Sequence, residues 1–244
     1  MRKALEQEKE LNELKSNFIS MVSHDFRSPI SGIITCVNLI KDYRNQLSET
    51  EIFDYLELIL KTCHQMLQLL EDVLVIGKAD AGKIKSNAIE INIQQYCQEL
   101  MAEFQLSDHN KHQFHFTYKG TADKKVVMDK NSLRHILSNL LSNALKYSPS
   151  GTSIKLNLEM KEDQVFFEIQ DQGIGIPPKT QQHLFELFYR GSNVGEVPGT
   201  GLGLAIVKKY VDVLDGKINF SSQVGTGTIF SVVLPAKTTE LFSL

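Results

Sequence analysis

The chain has 244 residues, 42% of them apolar and 23% charged, with 15 Gly and 6 Pro. That length suits one large domain or two ordinary ones, and the composition excludes wholesale disorder. A dedicated nucleic-acid binder usually carries a basic face, and a formal net charge of −3 gives no sign of one, so no nucleic-acid partner is expected.

No apolar run approaches the ~20 residues that span a bilayer. The opening MRKALEQEKE has no apolar stretch behind its basic residues and is not a secretory signal. Cys36, Cys63 and Cys97 are odd in number, widely spaced and form no CxxC. This argues against a disulfide framework or zinc site and points to a reducing compartment, the cytoplasm. Charge is uneven. Residues 1–82 hold nine Lys/Arg and thirteen Asp/Glu, whereas the remainder is close to balanced.

The first eighty residues predict two long helices. EQEKELNELKSNF puts Leu11, Leu14 and Phe18 on one face, like the end of a coiled coil running into a bundle. Ile19, Val22, Phe26, Ile30, Ile33, Val37 and Ile40 continue an apolar stripe that shifts around Pro29, as at a proline kink. DYRNQLSETE breaks the pattern, and Ser48 followed by Glu51 fits a capping box for the second helix. Phe53, Leu56, Leu60, Cys63, Leu67, Leu70 and Leu74 then form a heptad seam. Two helices cannot close a core alone, so the seam predicts pairing with a second copy in a four-helix bundle. Docking on the chain's own second half is the alternative. Cys36 and Cys63 read as small core hydrophobes.

GKADAGKIKSN loses the seam and reads as a linker, giving domains at 1–80 and 89–236, a linker at 81–88 and a tail at 237–244. Beyond it the pattern turns to mixed α and β. INIQQYCQELMAEF predicts a helix, HQFHFTY and KVVMD strands, and LRHILSNLLSNALKYS a strongly apolar helix. TSIKLNLEM and QVFFEIQD alternate like adjacent strands joined by KED. TQQHLFELF and GLAIVKKYVDVL read as helices, and KINFSS with TIFSVVL as a hairpin across QVGTG. Antiparallel strands with helices on one face make this half α+β.

Several clusters carry chemistry. In DQGIGIP a strand ends at Asp171, where a carboxylate can accept from an amine such as that of adenine, beside Gly173, Gly175 and Ile176. GTGLGL, residues 199–204, brings Gly199, Thr200, Gly201, Leu202, Gly203 and Leu204 to the start of a helix, where free N–H groups suit phosphate. It is GxGxG after a loop, unlike the dinucleotide fingerprint. Asn139 and Asn143 share a helix face with Lys146 and Tyr147 one turn on, able to hold a metal–phosphate assembly. GTGT puts Thr228 near the base. In SHDFRSPI, His24 stands about 160–200° from the apolar stripe at ~100° per residue and faces solvent. Its neighbour Asp25 can orient one imidazole nitrogen and leave the other as nucleophile. Each cluster alone is also what an ordinary turn or helix shows.

The order H-D-F-R-S-P, N-x-x-x-N-A-x-K-Y, D-x-G-x-G, LFELFYR and G-T-G-L-G-L resembles the sensor histidine kinases of two-component systems, over essentially the whole chain. The resemblance implies an all-α hairpin that dimerises into a four-helix bundle. A sandwich ATP-binding domain of the histidine kinase, gyrase and chaperone type follows it. It implies His24 as phosphoacceptor, Asp25 as the acid that orients or deprotonates it, and Ser28 as a residue aiding dephosphorylation of the partner. The family commonly has H-E-L-R-T-P, so Asp25, Phe26 and Ser28 are departures.

By the same resemblance Asn143 holds Mg²⁺ with Asn139 assisting, and Lys146 and Arg190 neutralise phosphate. Tyr147 lines the pocket, and Phe185 and Phe188 anchor a lid over 190–200. The implied partners are a second copy, a response-regulator receiver domain and an N-terminal sensor in a longer parent, itself a candidate for membrane anchoring. Two alternatives stand. Related ATPases of the gyrase, chaperone and mismatch-repair superfamily carry Glu four before the Mg²⁺ Asn, where this chain has Asn139. The other is a nucleotide-binding scaffold without turnover. His109, His112 and His115 tempt a metal reading, but residues three apart on a strand face opposite ways, so solvated surface is expected for them.

Overall fold

A computed structural model describes residues 2–80, 87–121, 124–195, 197 and 199–238. It divides into two compact units, Met1–Gly77 and Lys78–Leu244.

The first unit consists of α1 (Arg2–Tyr43) and α2 (Glu49–Asp80). Gln46 and Leu47 donate their N–H groups to the Tyr43 carbonyl and close the turn between them. The capping box is made in full. Glu51 N–H donates to Ser48 Oγ at 3.2 Å, and Ser48 N–H donates to Glu51 Oε2 at 2.8 Å. These bonds hold the Glu51 carboxyl below its ordinary pKa. α1 runs unbroken through Pro29, although proline has no N–H to return to the preceding turn.

Helix α2 carries two apolar seams, and the sequence reading singled out one. Ile52, Tyr55, Ile59, Met66, Leu69, Val73 and Ile76 lie on the face covered within the chain, with Leu69 and Ile76 buried. The heptad seam is the exposed one, from 45% at Leu70 to 62% at Phe53. Cys63, expected in the core, lies on it and is exposed, whereas Cys36 is buried.

Asp72 is buried on the covered side, where Gln68 Nε2 donates to its Oδ1 at 3.0 Å. Burial pushes its pKa from 3.8 to about 6, against the lowering effect of the Gln68 bond, and nearby Glu71 adds to the rise. A carboxyl whose pKa is raised on folding stabilises fully below its unfolded value, and that stability is lost as pH climbs through the folded one. Asp72→Asn is therefore expected to raise stability at neutral pH by ~1–2 kcal/mol and to flatten the pH dependence between about 4 and 6. Thermal unfolding of the full chain, read by helical circular dichroism, checks this. A variant less stable than its parent at neutral pH contradicts it.

The second unit is built on a five-stranded sheet of order β2-β4-β5-β7-β6. Its strands are β2 (Gln113–Lys119), β4 (Ser153–Lys161), β5 (Gln164–Gln170), β6 (Lys217–Gln223) and β7 (Gly227–Pro235). Period-2 burial turns Ile154, Leu156, Leu158, Val165, Phe167, Ile169, Val232 and Leu234 inward. Buried stripes of α3 (Ile93–Ser107), α4 (Lys130–Tyr147) and α6 (Gly203–Val213) supply the rest of this core. The opposite face is polar: Thr117 Oγ1 donates to Asn157 Oδ1 at 2.5 Å, and Asn157 Nδ2 donates to Glu168 Oε1 at 2.9 Å.

Both expected strand pairs, β4–β5 and β6–β7, are present and antiparallel. β2 and β4, however, run parallel. Alternation fixes which residues face inward but not strand direction, and the long connection carrying α4 permits the parallel return. A second small sheet joins β1 (Ala88–Asn92), β3 (Lys125–Asp129) and β8 (Lys237–Thr238). β1 escaped sequence reading because its five residues run straight into α3, whose first turn Asn92 caps through Gln95 N–H at 3.0 Å. Ala88 of the expected linker begins β1, and residues 81–86 lie outside the described residues. Residues 239–244 of the expected tail also lie outside them.

The helix expected over TQQHLFELF shrinks to α5 (Pro178–Gln181), and turns follow. Tertiary contacts override local propensity there: Phe185 meets Phe220 edge-on at 5.9 Å, and Phe188 takes a left-handed φ of 62°. His112 also departs from expectation. It is not solvated surface but is buried against Asp108, while His109 and His115 are exposed.

Candidate nucleotide and phosphoacceptor sites

Asp171 closes β5 and is buried. Its Oδ1 accepts from Gly173 N–H at 2.8 Å and from Thr228 N–H at 3.0 Å, and its own N–H donates to the Thr228 carbonyl. Among the described residues no donor meets Oδ2, which leaves an acceptor for an amine. Burial pushes the Asp171 carboxyl pKa up, and the two N–H bonds oppose it. Ser222 braces this corner: its Oγ accepts from Ile176 N–H at 2.8 Å and lies 2.8 Å from Thr228 Oγ1. Gly175 turns the chain with φ 66°, and its close approach to the Gln223 carbonyl leaves no room for a side chain.

α4 forms the facing wall. Asp129 caps it by accepting from Ser132 N–H at 2.9 Å. The Tyr147 carbonyl accepts from Ile174 N–H at 3.1 Å, so the end of α4 touches the Asp171 turn. Lys146 Nζ stands 4.9 Å over the Tyr147 ring and beside Gly199. Asn139 Nδ2 donates to the His135 carbonyl at 2.9 Å, and its Oδ1 faces the start of α6. A Cβ at Gly203 would stand 2.8 Å from that oxygen, so any larger residue there would push the Asn139 amide aside. The Asn143 side chain has no hydrogen-bond partner among the described residues, so its amide oxygen can serve a ligand.

The glycine loop completes the ring of residues. The Gly201 carbonyl accepts from Phe188 N–H at 3.1 Å, and Thr200 Oγ1 accepts from Leu202 N–H at 3.2 Å. Leu202 is buried and anchors α6, whose first-turn N–H groups, from Gly203 and Leu204 on, have no acceptor within the helix. Arg190 stands apart, exposed and donating to the Val197 carbonyl at 2.5 Å. The other expected nucleotide residues are thus drawn together, although they span positions 139 to 228. The donor set fits ATP: an acceptor for the base amine, N–H groups and a lysine for phosphate, and an amide oxygen for a hard cation.

The family description "His Kinase A (phospho-acceptor) domain" matches residues 14–82. "Histidine kinase-, DNA gyrase B-, and HSP90-like ATPase" matches residues 128–238. The circadian input-output histidine kinase CikA of Thermosynechococcus vestitus is 32% identical over 243 residues, covering 97% of this chain and 33% of that protein. The signal transduction histidine-protein kinase BarA of Escherichia coli is 31% identical over 229 residues, 91% of this chain and 24% of that one.

The chain belongs to the sensor histidine kinases. It forms their transmitter core and spans about a third or less of the length of the curated relatives named here. The solved histidine kinase AdeS of Acinetobacter baumannii shares the fold, with a TM-score of 0.67 at 24% identity over 87% of this chain and 97% of that one. In this histidine kinase core, His24, Asp25 and Ser28 follow one another on α1, with His24 and Ser28 four apart. The His24 side chain lies outside the described residues. Asp25 is half-buried and Ser28 exposed. Among the described residues no helix is long and apolar enough to cross a membrane.

Sequence reading missed Ser222 and Gln181, whose Nε2 donates to the Ile176 carbonyl at 2.8 Å. Ser222 was findable: the expected β6–β7 hairpin puts it opposite Thr228. Gln181 was not, because its partners are backbone carbonyls brought near by the fold.

Proposed function

We propose that this core carries out ATP-dependent phosphorylation of His24 and then passes the phosphoryl group to an aspartate of a receiver domain. One pairing carries the reading: a histidine with an acidic neighbour on one compact unit, and on the other an ATP site with Asn at position 139. An ATPase would need an acid there to activate water, and the Asn139 amide donates to its own helix instead.

The balance of the step is simple. A ring nitrogen of His24 attacks the γ-phosphorus, the bond to the β-phosphate oxygen breaks, and ADP leaves with that electron pair. Asp25 takes the proton released from the imidazole. The aspartate of the receiver then attacks phosphohistidine and restores the ring. Asp171 holds the base, α6 N–H groups and Lys146 hold the phosphates, and Tyr147 walls the pocket, so the protein acts by positioning and neutralising charge. Mg²⁺ suits the single amide oxygen of Asn143 completed by phosphate oxygens and waters, and when bound it offsets phosphate charge.

Ser28, one turn after His24, is the residue placed to aid loss of phosphate from the receiver. The exposed seam of α2 is the surface for a second copy: its six large side chains are about half exposed, and covering them would gain roughly 1 kcal/mol each. Incubation with γ-labelled ATP, followed by addition of a receiver domain, tests the proposal. Label should appear first on the chain and then on the receiver. Free phosphate with no labelled protein at any time refutes it.

A further inference from the structure

A buried polar cluster lies outside the nucleotide site and touches one of its walls. His112, just before β2, and Asp108, the cap of α3, have side chains only 5% and 6% exposed. His112 Nδ1 lies 2.8 Å from Asp108 Oδ1, and His112 Nε2 lies 3.3 Å from the carbonyl oxygen of Ser148. Carboxylate and carbonyl are both acceptors, and the ring sets one nitrogen against each. Asp108 Oδ2 also accepts the His112 backbone N–H at 2.7 Å, which fixes the ring's base. Ser148 is the cap of α4. The imidazole therefore bridges the ends of two helices.

The bridged residue stands next to the nucleotide wall. Ser148 directly follows Lys146 and Tyr147, and the Tyr147 carbonyl holds Ile174 N–H beneath the Asp171 turn. The two turns also share backbone bonds, Gln113 N–H to the Thr152 carbonyl and Gly151 N–H to the Lys111 carbonyl, so the chain connection is already secured. A buried polar side chain is costly unless its bonds are made, and an apolar one would fill this place more cheaply. What the imidazole adds is a fixed height for the last turn of α4.

We propose that His112 is a positioning residue for the nucleotide site, fixing through Nε2 the turn that carries Lys146 and Tyr147. The proposal rests on the reading of that pocket as an ATP site. Two variants separate the two bonds. Asparagine puts its amide nitrogen near Nδ1 and keeps the Asp108 bond, whereas glutamine puts its own near Nε2 and keeps the Ser148 bond. In the full chain, His112→Asn should weaken calorimetric affinity for a non-hydrolysable ATP analogue with Mg²⁺ roughly tenfold. It should also speed exchange of the Ile174 amide, measured without nucleotide, by about the same factor. His112→Gln should keep both within about twofold of the parent.

The reverse order or equal losses would mean that His112 only anchors the fold through Asp108. No change in either variant would also overturn the proposal. Absence of analogue binding by the parent would defeat the ATP reading, and the Ile174 exchange would still decide the role of His112.

Discussion

His24→Ala is expected to abolish phosphorylation of the chain and to leave nucleotide binding intact. The acceptor stands on α1 in one compact unit, and every residue assigned to ATP stands in the other. Removing the imidazole takes away the proposed phosphoacceptor without touching Asp171, α4 or the glycine loop. Loss of a nucleophile removes a step rather than weakening it, so incorporation of label should fall by at least about a thousandfold. Calorimetric affinity for an ATP analogue should stay within about twofold. Undiminished label on the variant would place the acceptor elsewhere.

Asn143→Ala is expected to give the second largest effect. Asn139 and Asn143 look equivalent in sequence, but the structure separates them. The Asn139 amide donates to the His135 carbonyl and its oxygen abuts Gly203, whereas Asn143 has no such bond among the described residues. The Asn143 oxygen is therefore the one we propose for Mg²⁺. Its loss should weaken Mg²⁺-dependent ATP binding about ten- to a hundredfold, ~1.4–2.8 kcal/mol, and leave the weaker metal-free binding nearly unchanged. Asn143→Asp keeps an oxygen ligand and should recover much of the loss. Equal affinities for parent and Asn143→Ala in the presence of Mg²⁺ would contradict this.

The sequence announced features that depend on neighbours in the chain. Ser48 and Glu51 cap α2 as their spacing requires, and Leu202 with Gly203 opens α6 as the glycine loop requires. Alternation identified β4, β5, β6 and β7, because one buried face imposes period two. Hidden features were those set by distant partners. The parallel pairing of β2 with β4 and the three-stranded sheet of β1, β3 and β8 join segments far apart in the chain.

Apolar spacing found the exposed seam on α2, offered to a second copy, but missed the second seam beside it, from Ile52 to Ile76, which is covered within the chain. His112 was misread because spacing shows which face a residue takes and not whether Asp108 and Ser148 wait there. The nucleotide residues were legible as motifs. Their joining, Tyr147 to Ile174 and Asn139 to Gly203, was not.

The central claim is that the γ-phosphoryl group comes to rest on a histidine. Incubation of the chain with γ-labelled ATP and Mg²⁺, then acid or base treatment of the recovered protein, tests it directly. Phosphohistidine loses its label in acid and keeps it in base, and that pattern is expected. Label stable to acid, or label found only as free phosphate, would contradict the account.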